Sequence, residues 1–128
     1  MDVYALLPNG VYRYQPLKHA LVRTTAGDKR VELAIAALAQ DFIAAASVDF
    51  VITAEYERSM VKYEQRGIRY SVIEVGHISQ NIYLQAEALG LATVAVGAFN
   101  DGEVQQALNL PKRHRPLIIM PTGVKRAS

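Results

Sequence analysis

The stretch from Arg69 to Leu89 constrains this chain more than any other. Val72, Val75, Ile78, Ile82, Ala86 and Leu89 fall three or four residues apart, the period that lines apolar side chains along one helical face. Gly90 follows as a C-terminal stop, because glycine enters the left-handed conformation that closes a helix. Directly after it, Leu91 to Val96 is a run of small, largely apolar residues, suited to a strand covered on both faces. A long amphipathic helix feeding such a strand needs a sheet to lie on.

The rest of the chain supplies one. Val3 to Leu7 and Val11 to Tyr14 flank Pro8-Asn9-Gly10, a turn signal, and read as a hairpin. Asp28 can cap a helix that starts near Lys29 and runs to about Ala46 on Val31, Leu33, Ile35, Leu38, Phe42 and Ile43. Val48 to Thr53 is β-branched and aromatic, hence a strand, and the polar stretch Glu55 to Gln65 reads as helix. Asn100 and Glu103 have capping-box spacing for a short helix to about Leu108. Pro116 and Pro121 bracket a last strand, Leu117 to Met120, at ends where no ladder donor is required. Neither a linker nor a repeat interrupts this order. The expectation is a single α+β domain over residues 1–128, a mixed sheet packed with helices.

Composition narrows function by exclusion. With 128 residues, 51% hydrophobic and 20% charged, the chain has the makeup of a globular domain with a modest core. It has no cysteine, which removes disulfides, thiolate metal sites and a cysteine nucleophile. A formal net charge of +2 is too small to argue for nucleic acid as a partner. No basic region precedes an apolar run at the start, and no apolar stretch approaches the roughly 20 residues that span a bilayer. A cytoplasmic protein with no membrane association is expected.

Four places invite chemistry. At Val96-Gly97-Ala98-Phe99-Asn100-Asp101 a strand ends in small residues and then a helix cap. A flat ligand could approach the backbone there and meet N–H groups and the positive end of a helix; an ordinary strand–turn–helix joint fits the same residues. Lys62-Tyr63 sets a phenol beside a cation, which favours the phenolate and could serve proton transfer; a solvated helix face reads equally well. Glu74-x-x-His77 has the spacing of carboxylate-bridged metal sites but lacks the second pair they need, so no metal is expected and an ordinary hydrogen bond is assigned to His77. Lys112-Arg113-His114-Arg115 and Lys125-Arg126 could hold a phosphate or simply face water.

Taken in order, the residues resemble a known family. Lys62-Tyr63-Glu64-Gln65-Arg66-Gly67-Ile68-Arg69-Tyr70 leads to Ile73-Glu74-Val75-Gly76-His77, then Gln80-Asn81-Ile82-Tyr83-Leu84 and Ala88-Leu89-Gly90-Leu91. Val96 to Asp101 and Pro121-Thr122-Gly123 follow. This series is similar to the SagB-type dehydrogenase branch of the nitroreductase-like flavin oxidoreductases.

The resemblance implies a nitroreductase-like fold, a homodimer joined largely through the long helix, and FMN at the subunit interface. It implies hydride exchange through the flavin with a small molecule or a peptide azoline, and NAD(P)H as electron donor. Val96, Gly97, Ala98 and Phe99 would lie beside the isoalloxazine ring. Lys62 and Tyr63 would be catalytic, with Tyr63 moving a substrate proton and Lys62 tuning it. The resemblance further implies that Met1 falls at a mid-domain strand. The family's N-terminal helical segment, with its arginine-and-serine grip on FMN, then has no counterpart, and Lys125 and Arg126 are left for the phosphate. Arg115 stands where the branch carries an acidic residue. A non-enzymatic alternative follows from the same shortening: a flavin-less family remnant serving as a dimeric scaffold or binding module.

Overall fold

The computed structural model describes residues 1–125. Its strands are β1 (Asp2–Leu7), β2 (Gly10–Gln15), β3 (Ala20–Ala26), β4 (Val48–Ala54), β5 (Leu91–Thr93) and β6 (Arg115–Val124). Its helices are α1 (Arg30–Ala36), α2 (Asp41–Ala45), α3 (Tyr56–Tyr63), α4 (Arg66–Ala88) and α5 (Asp101–Leu108). The strands form one sheet in the order β3-β2-β1-β4-β6-β5, every pair antiparallel.

Alternation along the two central strands sorts the helices into layers. Val51 and Ile119 point to one face, where they join Leu33 of α1, Ile43 of α2 and Val104 and Leu108 of α5 in the larger core. Ile52 and Met120 point to the other, against Val75, Ile78 and Ile82 of α4. The sheet is thus covered by α1, α2 and α5 on one side and α4 on the other, with α3 leaning on α4. The α+β class and the hairpin β1–β2 stand as expected. No helix among the described residues is long and apolar enough to cross a membrane.

Several local expectations need correction. Strand β3 went unread because Leu21 to Thr24 are exposed and carry no one-sided alternation. The helix expected from Lys29 to Ala46 is two short ones, broken where Leu38 and Ala39 take positive φ values of 60° and 56°. The break turns the chain so that Leu33 and Ile43 both reach the core fully buried. Asp28 does act at the start of α1, its Oδ1 accepting the Arg30 N–H at 3.1 Å.

β5 ends at Thr93 and is a sheet edge with Ala92 and Val94 exposed, so the expected two-sided cover is absent among the described residues. β6 runs through both prolines. Pro116 is tolerated where the register against β4 shifts, a bulge that needs no donor. α4 buries Gly67, Ser71, Val75, Ser79 and Ala86, leaving Val72 and Leu89 exposed, and Gly90 follows at φ 74°. His77 is exposed, and no hydrogen bond to its side chain occurs among the described residues.

Candidate functional site

The strand end at residues 96–99 is assembled from both sides of the larger core. After β5 the chain rejoins β6 once: Val96 N–H donates to Ile119 O at 2.8 Å, and Ile119 N–H donates to Val96 O at 3.0 Å. The buried Val96 and half-buried Phe99 pin the segment to the core, while Gly97 and Ala98 between them are exposed. Asn100 closes it, its N–H donating to Ala36 O at 2.8 Å and its Oδ1 accepting from Glu103 N at 2.9 Å to cap α5.

The intervening N–H groups of Gly97, Ala98 and Phe99 meet no acceptor among the described residues, and a Cβ placed on Gly97 would touch nothing within 4 Å. Gln40 crosses over to donate to Ala98 O at 3.2 Å. The result is a low, side-chain-poor shelf with unspent backbone donors. A flat heteroaromatic ring with acceptor atoms fits such a shelf.

Lys62 and Tyr63 are adjacent in space as in sequence. Lys62 Nζ lies 5.2 Å from the centre of the Tyr63 ring, over its face. The Tyr63 ring in turn meets Tyr70 edge-on, with centroids 5.0 Å apart and planes at 81°. This pair is held by a tight crossing: a Cβ at Gly67 would come within 2.6 Å of Met60 N and Ser59 C. Ser71 Oγ donates to Gly67 O at 2.8 Å and lies 3.1 Å from Ser59 Oγ across the crossing. Immediately after Tyr63, Glu64 takes φ 56° and ψ −136°, a conformation that strains any residue with a Cβ. Lys62 and Tyr63 therefore belong to the α3–α4 layer, whereas Val96 and Phe99 belong to the core across the sheet. One copy of the chain does not bring these two candidate groups together.

A third constellation was not legible in the sequence. Tyr4 of β1, Arg13 of β2, Glu55 and Arg58 at the start of α3, and Arg113 and His114 before β6 line a cleft of about 350 Å³, with Asp2 of β1 paired to two of its arginines. Arg58 donates from Nε to Glu55 at 2.8 Å and from Nη2 to Asp2 at 3.0 Å. Arg13 pairs with Asp2 at 3.4 Å, and Arg113 with Glu55 at 3.4 Å. His114 is buried, with Nδ1 3.1 Å from Tyr4 Oη and Nε2 3.4 Å from Glu55 Oε2. A carboxylate only accepts, so we assign the ring proton to Nε2 and let Nδ1 accept from the phenol.

Burial pushes the His114 imidazole below its ordinary pKa against the opposing pull of Asp2 and Glu55. Burial, helped by Asp2, raises that of the Tyr4 phenol, and the Arg58 hydrogen bond lowers that of Glu55. These residues come from four separated segments. Only the basic run Lys112 to Arg115 hinted at them, and the fold splits that run. His114 turns inward and Arg113 lines the cleft, while Arg115 lies over the Tyr56 ring at 5.4 Å.

Of the two tail cations, Lys125 Nζ meets both carboxylate oxygens of Glu87 at 2.6 Å, and Arg126 lies outside the described residues. No group of three or more His, Cys, Asp or Glu side chains placed to hold a metal occurs among the described residues.

Comparison with known proteins identifies the family of the fold. The profile of the nitroreductase family matches residues 1–124. A protein of Methanocaldococcus jannaschii named as a nitroreductase is 48% identical over 116 residues, 91% of this chain and 58% of that protein. The microcin B17-processing protein McbC of Escherichia coli is 28% identical over 115 residues, 88% of this chain and 42% of that protein. Among solved structures, a nitroreductase-type protein from Ralstonia eutropha superposes with a TM-score of 0.85 at 28% identity, covering 99% of this chain and 59% of that one. The NADPH:FMN oxidoreductase from Vibrio harveyi, solved with NAD+, superposes at 0.66 and 26% identity, covering 77% of this chain and 46% of that one. The chain thus spans about half the length of the curated relatives it matches.

Proposed function

Since the chain belongs to the nitroreductase family, we propose that it carries part of an FMN-dependent oxidoreductase site of the SagB-type branch, working as a homodimer with NAD(P)H as donor. The observation that carries this reading is the shelf at residues 97–99. Three successive backbone N–H groups lack acceptors there among the described residues, and Gly97 leaves the approach open. Bound FMN would supply hydride exchange with a small molecule or a peptide azoline. The chain's own share is to seat the ring: Val96 and Phe99 fix the shelf to the core, and the Gly97–Phe99 amides donate to ring acceptors. Lys125 meets a phosphate only by releasing Glu87.

Tyr63 and Lys62 stand across the sheet from the shelf, so their proton-transfer role requires a second copy to present them. α4 offers a face for that copy, with Val72, Ile73 and Leu84 exposed along it. The test is the visible spectrum of the full chain after incubation with excess FMN and desalting. Retained flavin at near-equal stoichiometry, lost in Gly97→Val, is the expected result. A folded protein that retains none refutes the reading.

The second reading, a flavin-less dimeric scaffold, is favoured by one observation. The only described tail cation is already bound by a carboxylate. A colourless, folded dimer that FMN does not stabilise against heat is its expected signature.

A further inference from the structure

We infer that the cleft between β1, β2, the start of α3 and the α5–β6 loop binds a small organic carboxylate with an apolar body. Neither the shelf at residues 96–99 nor Lys62 and Tyr63 line it, so the inference is independent of the flavin reading.

Three features point to that chemistry. The first is charge. Arg13, Arg58 and Arg113 face Asp2 and Glu55, three cations against two anions, and the buried His114 stays neutral near pH 7. One positive charge is left over, which matches a monoanion. A dianion would set surplus negative charge against Asp2 and Glu55.

The second is an unspent donor. Arg13 lines the cleft, its Nε meets no acceptor among the described residues, and Asp2 holds its guanidinium only at 3.4 Å. Arg113 is held only at 3.4 Å and is 61% exposed, so it can swing onto an arriving carboxylate.

The third is the wall. Leu110 and Pro111, with the buried Leu108 beside them, add apolar surface to a cleft that the arginines also line. A purely structural ion-pair network would need no such apolar surface beside it.

The experiment titrates the full chain with benzoate, following the His114 ring resonances by proton–nitrogen correlation spectra. Benzyl alcohol tests the body alone and inorganic phosphate the charge alone. Saturable benzoate shifts are expected, with the other two compounds at least about tenfold weaker. Arg13→Gln is expected to weaken benzoate about tenfold or more. Arg113→Gln, at an exposed position that tolerates change, carries the same test with a smaller loss should Arg13→Gln fail to fold. Absence of saturable benzoate shifts, phosphate binding as tightly as benzoate, or unchanged affinity in the folded variants would overturn the inference.

Discussion

Tyr4 Oη and His114 Nδ1 meet at 3.1 Å although 110 residues separate them. The contact ties the first strand of the sheet to the turn that starts the last, and it gives the buried imidazole its hydrogen bond at Nδ1, with Asp2 Oδ2 farther off at 3.9 Å. Tyr4→Phe removes the donor and keeps the ring. It should cost about 1 to 2 kcal/mol, because Nδ1 is left buried without a hydrogen bond. Chemical denaturation of the two proteins at pH 7 checks this, and an unchanged midpoint would count against the assigned tautomer.

Asp49 sits fully buried on β4, and neither carboxylate oxygen has a hydrogen-bond partner among the described residues. Burial raises its pKa to about 7, with Arg30 pulling the other way. The sign follows from linkage. Below about pH 4 the group is protonated both folded and unfolded and contributes no pH dependence. Between there and pH 7 the unfolded chain loses the proton first, so stability falls as pH rises. Asp49→Asn should match wild type near pH 4 and exceed it by up to about 4 kcal/mol at pH 8. His114 acts oppositely: its lowered pKa costs stability as pH falls through the mid-range. The difference between wild type and variant at each pH isolates Asp49, and a flat difference would refute the prediction.

Glu64 follows Tyr63 at φ 56° and ψ −136°, where only glycine is at ease. Glu64→Gly should therefore stabilise the chain by about 1 kcal/mol, the relieved strain outweighing the added freedom of the unfolded state. Glu64→Ala keeps the Cβ and should gain nothing. Thermal melts of both distinguish strain from the removed charge. Gly67→Ala would bring a Cβ within 2.6 Å of Met60 N and Ser59 C, and should cost about 1 to 3 kcal/mol by prying α3 from α4.

What the sequence carried was whatever repeats at a structural period or caps an end. The three-to-four spacing marked α4, Asn100 and Glu103 marked α5, and Gly90 marked the stop between α4 and β5. β3 lacked a buried face and so lacked a pattern. The turn at Leu38 and Ala39 uses residues that ordinarily continue a helix, and only the tertiary gain of burying Leu33 and Ile43 together explains it. The shelf at residues 96–99 was legible because small residues and a cap are contiguous. The charged cleft was not, because Asp2, Arg13, Glu55 and His114 meet only after β1, β2, β4 and β6 pair.

Gly76 decides how α4 is used. It lies on the exposed side of the helix, and a Cβ there would touch nothing within 4 Å. In an isolated chain Gly76→Ala should therefore stabilise α4 by about 1 kcal/mol, since alanine is the better helix former. If two copies pack through Val72, Ile73 and Gly76, the glycine is what lets the helices approach. A larger residue then weakens association while leaving the monomer intact. Gly76→Leu makes the contrast sharper, as leucine also favours helix. Sedimentation of wild type and both variants at matched concentrations, beside melts in dilute solution, separates the cases. The expected outcome is a dimer that weakens from glycine to alanine to leucine. A dimer indifferent to all three residues would place the subunit contact elsewhere, and a monomeric wild type would leave Tyr63 without a shelf to serve.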